Sequence, residues 1–119
     1  MIDDARVVRM VLSGTMRQLG FEVSEASDGA EGLSRLRGGS RPDVILVDCH
    51  MPQMDGFEFV RQVRGDPGLA GVRLILVTGE QDDGVTGQAL ADGADGCLRK
   101  PFTREALGRQ LADLGVLVA

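Results

Sequence analysis

DVILVD, residues Asp43 to Asp48, sets four consecutive apolar residues between two aspartates. An unbroken apolar run of this kind, rich in β-branched side chains, suits a strand covered on both faces, as in a parallel sheet. VRLILVT (Val72 to Thr78) repeats the signature. Between the two runs, Gly56 to Val63 places Phe57, Phe59, Val60 and Val63 at helical spacing, and GDPGLAG (Gly65 to Gly71) stops that helix. Strand, helix, strand in this order predicts a crossover unit.

The same alternation continues outward. Ala5 to Leu19 predicts a first helix with Val8, Val11, Leu12, Thr15, Met16 and Leu19 on its apolar stripe and Gly20 as its stop. FEVSEAS (Phe21 to Ser27) alternates apolar and polar residues like a strand with one wetter face, and a short helix over Gly29 to Leu36 follows, with Ala30, Leu33 and Leu36 inward. Asp82 to Asp92 predicts a weak helix carrying Gly84 and Gly87, each costing about 1 kcal/mol against Ala. DGCLRK (Asp95 to Lys100) predicts a short strand, and Thr103 caps a last helix with Ala106, Leu107, Leu111 and Leu114 apolar. Strands alternating with helices predict an α/β fold, a parallel sheet coated by helices on both sides through right-handed crossovers.

Composition narrows the function. With 119 residues the chain fits one domain spanning 1–119, and 43% hydrophobic against 26% charged residues is ordinary for a globular protein. A net charge of -5 argues against direct nucleic-acid binding, which needs clustered Lys and Arg. Cys49 and Cys97 are too few for a disulfide framework and sit in no zinc pattern, which suggests a reducing compartment. The longest aliphatic runs are far short of a membrane span, and the start has no signal-peptide pattern, so the expected location is cytoplasmic, with no membrane partner.

In an open parallel sheet, ligands sit beyond the carboxyl ends of the strands. Asp48, Thr78 and Lys100 stand at such ends, and Asp3 and Asp4 precede the first helix. Three crowded carboxylates repel unless a cation joins them, and oxygen-only donors favour Mg2+. A carboxylate can also act as a nucleophile toward phosphorus, a reaction that needs mainly positioning and charge neutralisation. Read alone, Asp3-Asp4 is also a plausible helix cap, Asp48 a loop cap, Lys100 a surface cation and Thr78 a β-former.

The stretch PDVILVDCHMPQMDG (Pro42 to Gly56), the Asp3-Asp4 pair, LVTG (Leu76 to Gly79) and LRKPF (Leu98 to Phe102) together resemble the response-regulator receiver family, over almost the whole chain. The resemblance implies a flavodoxin-like three-layer αβα sandwich of strand order 2-1-3-4-5. It implies a phosphoacceptor in two-component signalling, taking a phosphoryl group from a phosphohistidine onto Asp48 and relaying the signal by protein contacts. The chain would assist its own phosphotransfer and dephosphorylation without being an enzyme. By the resemblance Asp4 binds Mg2+ directly, Asp3 mostly through water, and Asp48 and the His50 backbone carbonyl complete the protein donors. Thr78 and Lys100 hold phosphoryl oxygens, and the Lys100-Pro101 bond is cis. The implied partners are a sensor histidine kinase or histidine phosphotransferase and a downstream protein target.

His50 and Glu80 occupy positions that modulate phosphoryl lifetime in the family, and a contact between them across the site mouth is expected. Cys97, three residues before Lys100, replaces the family's usual aromatic switch, so activation is expected to reorder the loop after Gly79 and the following helix. The front end departs further. The family opens with an apolar strand of about five residues before its acid pair, and here only Met1 and Ile2 precede Asp3. The first strand is then either continued by residues upstream of Met1, or truncated, or supplied by another segment. VLVA (Val116 to Ala119), after Gly115, reads as a short strand that could enter the vacant place from within the chain or from a partner, in a strand-exchanged homodimer; the plain alternative is a frayed helix end. The second functional reading is a pseudo-receiver that binds partners without phosphorylation. A third, a haloacid-dehalogenase-like phosphatase, needs an acid two residues past the nucleophile, where His50 stands.

Overall fold

A computed structural model of the chain describes residues 1–2, 6–39, 42–49, 51, 54–78, 85–99 and 103–115. Five helices and three strands alternate: α1 (Arg6–Gln18), α2 (Gly29–Arg37), β1 (Val44–Asp48), α3 (Gly56–Arg64), β2 (Arg73–Thr78), α4 (Val85–Asp92), β3 (Gly96–Arg99) and α5 (Arg104–Asp113), with a 3-10 turn at Pro67–Leu69. The strands form a parallel sheet in the order β1-β2-β3, with Asp48 opposite Val77 and Thr78 opposite Arg99. Beyond β1, Ile2 makes parallel bridges to both Val47 and Ala26. Counting Ile2 and residues 21–26 as the places of strands 1 and 2, the arrangement is the expected 2-1-3-4-5.

The continuous apolar strands are buried on both faces, as their sequence requires. Odd-numbered β1 residues pack with α2 and α3 in a cluster centred on Phe59, Val60 and Val63. Even-numbered ones pack with α1 and α5 around Leu12, Met16, Leu107 and Leu111. Helix starts follow their capping residues: Asp28 accepts from the Glu31 N–H at 2.8 Å, Asp55 from Glu58 at 2.9 Å and Thr103 from Ala106 at 3.0 Å. Glu31 reaches back to the Ser27 N–H at 3.2 Å, which completes a reciprocal cap.

Three sequence expectations need correction. Ala30, expected inward on α2, is exposed, and Gly29 and Gly32 are buried beside Leu33 and Leu36 instead. The stripe of α1 is rotated by about one residue: Leu12, Ser13 and Met16 are buried, while Val11 is 60% exposed. Val11 and Leu12 both fit an apolar stripe, and only the sheet contact selects between them. Residues 21–26 are extended but form no strand ladder; Ala26 alone makes a bridge. Among the described residues their sheet contacts are with Met1 and Ile2, at Ser24 and Ala26 only. The predicted weak helix is present from Val85. Its start, the loop at 79–84, the Lys100-Pro101 bond and the segment 116–119 lie outside the described residues.

Candidate functional site

β1 ends in Asp48 and β2 ends in Thr78, so parallel pairing sets both side chains at one edge of the sheet. Asp48 is 7% exposed and Thr78 1%. A carboxylate at so sheltered a strand end is costly unless its oxygens have positive or hydrogen-bonding company. Its backbone is fixed from both sides of the strand: the Asp48 N–H donates to the Ile2 carbonyl at 2.9 Å, and the next residue, Cys49, donates to the Val77 carbonyl at 3.0 Å. The first is a contact that sequence reasoning missed. Ile2 directly precedes the Asp3-Asp4 pair, so the same short segment that bonds the Asp48 amide also leads into the acid pair.

Gly56 is the second unforeseen contributor. It opens α3, donates its N–H to the Cys49 carbonyl at 3.0 Å, and lies against the end of β1. A Cβ there would approach the Leu76 Cδ1 to 2.5 Å, the Asp48 carbonyl oxygen to 2.6 Å and the Cys49 Cα to 2.8 Å. Only glycine allows the helix this near to the strand end. In the sequence Gly56 was read only as the start of a helix.

Cys97 sits on β3 opposite Leu76, and its thiol lies 3.9 Å from the Thr78 hydroxyl oxygen, a weak sulfur contact. The modulatory position is thus brought to the Thr78 side chain. Its carbonyl accepts from the Gln110 side-chain amide of α5, which couples β3 to that helix. Of the remaining site residues, Asp3, Asp4, His50, Glu80 and Lys100 lie outside the described residues, and with them the expected His50–Glu80 contact. Among the described residues no group of three or more His, Cys, Asp or Glu side chains gathers as a metal site. The donor chemistry nonetheless fits a hard cation: Asp48 offers carboxylate oxygens at a sheltered strand end.

The sequence model described as the response regulator receiver domain matches residues 1–112. The chain belongs to the response regulator receiver family. Chemotaxis protein CheY1 of Helicobacter pylori is 32% identical over 111 residues, covering 92% of this chain and 90% of that protein. A probable chemotaxis protein CheY of Rhizobium etli is 33% identical over 107 residues, covering 89% and 82%. Among solved structures, chemotaxis protein CheY4 of Vibrio cholerae superposes with a TM-score of 0.86 at 36% identity, covering 95% of this chain and 93% of that one. A response regulator of Chloroflexus aurantiacus reaches 0.89 at 26% identity, covering 95% and 92%. The receiver is therefore CheY-like, a flavodoxin-like fold of two-component signalling, a class of domain that interacts with histidine kinases or phosphotransfer proteins and with downstream targets. Among the described residues no helix is long and apolar enough to cross a membrane.

Proposed function

We propose that this receiver accepts a phosphoryl group on a carboxylate oxygen of Asp48. In that step the phosphorus–nitrogen bond of a donor phosphohistidine breaks and an oxygen–phosphorus bond to Asp48 forms. The observation that carries the reading is the placement of Asp48: a sheltered carboxylate at the end of β1, its amide anchored on Ile2, on the strand paired with β2, which itself ends in buried Thr78. Burial removes competing water, and the anchored backbone fixes the nucleophile without reorganisation, which is what a positional reaction requires.

Asp3, Asp4, Asp48 and the His50 carbonyl are the residues that would hold Mg2+, whose charge offsets that of the acids and of the phosphoryl oxygens. The Thr78 hydroxyl donates to one phosphoryl oxygen and the Lys100 ammonium to another. Cys97, against Thr78, places a small polarizable group where a rotating aromatic would otherwise stand. Output passes by contact with a downstream protein, in a cytoplasmic setting. The chain acts as a phosphoacceptor and not as a turnover enzyme.

Intact-mass measurement after incubation with acetyl phosphate and Mg2+ tests this. One phosphoryl group should add to the protein and none to Asp48→Asn. No uptake, together with no binding of beryllofluoride in the presence of Mg2+, would assign the chain to the pseudo-receivers. Sustained release of phosphate from a simple ester would favour a phosphatase.

A further inference from the structure

β3 has β2 on one side and, among the described residues, no strand on the other. The direction of its backbone groups follows from β2. The Arg73 N–H donates to the Asp43 carbonyl and the Val77 carbonyl accepts from Cys49, so odd-numbered β2 residues turn their backbone groups to β1 and even-numbered ones to β3. The register sets Gly96 opposite Ile75 and Leu98 opposite Val77. Gly96 and Leu98 therefore bond between the even-numbered β2 residues, and the backbone groups of Cys97 turn outward, off the edge of the sheet. A carbonyl so placed under a covering helix needs a donor that no strand supplies.

Gln110 of α5 is that donor. Its side-chain amide bonds the Cys97 carbonyl. The helix it stands on is held down by Leu107 and Leu111, both fully buried, and is capped by Thr103. Room for the amide comes from Gly96, where a Cβ would meet the Gln110 Oε1 at 2.6 Å. The side chain of Gln110 can swing away from such a Cβ only by leaving the Cys97 carbonyl. Two residues distant in the chain thus fit one contact.

The side chain of Cys97 reaches toward the acceptor site. Its thiol donates to the Thr78 hydroxyl oxygen at 3.9 Å, and Thr78 ends the strand paired with the one that ends in Asp48. A hydroxyl has one hydrogen to give and lone pairs with which to accept. A thiol donating to the Thr78 oxygen occupies one of those lone pairs and leaves the hydroxyl hydrogen to donate elsewhere. At this length the contact is weak, so it depends on where β3 holds Cys97. Pairing with β2 fixes the inner side of β3, and Gln110 fixes the outer side.

We propose, resting on the reading of Asp48 as phosphoryl acceptor, that Gln110 is a positioning residue for the transfer. Its amide holds the Cys97 peptide at the outer edge of β3, the Cys97 thiol takes a lone pair of the Thr78 oxygen, and the Thr78 O–H is left to donate to a phosphoryl oxygen. Gln110 itself touches neither the acceptor nor the phosphoryl group.

Phosphoryl uptake from acetyl phosphate at saturating Mg2+, followed in time by intact mass, tests this with two variants that remove the contact differently. Gln110→Met keeps the length and helix propensity of the side chain but has no donor. Gly96→Ala keeps Gln110 and drives its amide off the carbonyl. Each should slow uptake about tenfold, as misplacement of a group that orients the reactants does. Thr78→Ala should slow it about a hundredfold, through loss of one donor to the developing charge. The deciding comparison is the double mutant: with the Thr78 hydroxyl gone, Gln110→Met should change the rate by less than about twofold, because nothing is left to position. A side chain that only supported the fold would slow both backgrounds alike. Should one variant fail to fold, the other makes the same comparison. Equal rates in the parent and the variants overturn the proposal and leave Asp48 as the acceptor, as does a Gln110→Met effect of the same size with and without the Thr78 hydroxyl. A parent chain that takes up no phosphoryl group overturns the reading of Asp48, and the proposal with it.

Discussion

Glycine-to-alanine substitution at two helical positions should change stability in opposite directions. At Gly56 the added Cβ meets three atoms at 2.5, 2.6 and 2.8 Å, and two of them are backbone atoms of Asp48 and Cys49 that no rotamer change can move aside. The helix cannot simply slide away, because the Gly56 N–H is bonded to the Cys49 carbonyl. Overpacking a core costs about 1–3 kcal/mol, and a clash against backbone belongs at the upper end, so Gly56→Ala should lose about 3 kcal/mol. In a domain whose total stability is on the order of 5–15 kcal/mol, that is a large share. At Gly14, inside α1, a Cβ meets nothing within 4 Å. Alanine there removes the entropic cost of glycine in a helix and should gain about 0.5–1 kcal/mol. Equilibrium urea unfolding of the two variants reads both shifts as changes in midpoint at constant slope. A loss below about 1 kcal/mol at Gly56 would refute the view that α3 is held against the strand end by its missing side chain. Phosphoryl uptake per folded molecule should also fall in Gly56→Ala, since the atom struck is the Asp48 carbonyl.

Three further outcomes are expected. Ser13 is fully buried in α1 and its hydroxyl has no hydrogen-bond partner among the described residues; Ser13→Ala should therefore stabilise the fold by about 1 kcal/mol in the same urea assay. The Asp95 carboxylate accepts from the Leu74 N–H at 2.8 Å and from Arg64 at 2.7 Å, so Asp95→Ala, which orphans a buried amide, should cost about 2 kcal/mol in thermal or urea unfolding. The Met1 amine is pushed down from 8.0 to about 6, chiefly by burial and against the pull of the Glu25 carboxylate. The unfolded chain then holds more protons than the folded one between those values, so stability rises with pH through that window and is lowest below it. The gain should be about 1–2 kcal/mol after allowing for partial exposure, measured by unfolding on either side of the window.

The elements whose sequence left a single physical option were legible. DVILVD and VRLILVT read as doubly covered strands, and the helix starts expected at Gly29, at Gly56 and after the Thr103 cap are where the structure has them. Asp48 and Thr78 fell at neighbouring strand ends because parallel register alone puts them there. What escaped sequence reasoning depends on neighbours distant in the chain. Val11 or Leu12 could each lead the stripe of α1 until the sheet surface chose Leu12. FEVSEAS has a strand's alternation, yet a ladder needs a partner as well as a pattern, and Met1 and Ile2 supply one residue of it. The close approach at Gly56 and the anchoring of Asp48 on a carbonyl left no compositional trace at all.

The register of Ile2 bears directly on the site. Ile2 makes two backbone bonds to β1, donating to the Leu46 carbonyl at 2.8 Å and accepting from the Asp48 N–H at 2.9 Å, while Met1 bonds Ser24 and Ala26 on the other side. Stability and chemistry should therefore separate. Ile2 is 4% exposed, and a Cβ on Gly32 would come within 2.4 Å of its Cδ1, so its side chain fills core space tightly against α2. Ile2→Ala should cost about 2–4 kcal/mol, as large-to-small core changes do. The two bonds that hold Asp48 are made by backbone, which alanine keeps. Under conditions where the variant is folded, phosphoryl uptake at Asp48 should match that of the parent within about a factor of two, since only a change in transition-state contacts would alter it. A variant that stays fully folded yet loses uptake would show that the Ile2 side chain, and not its carbonyl, sets the acceptor. The separation of roles between the side chain and the backbone of Ile2 would then fail.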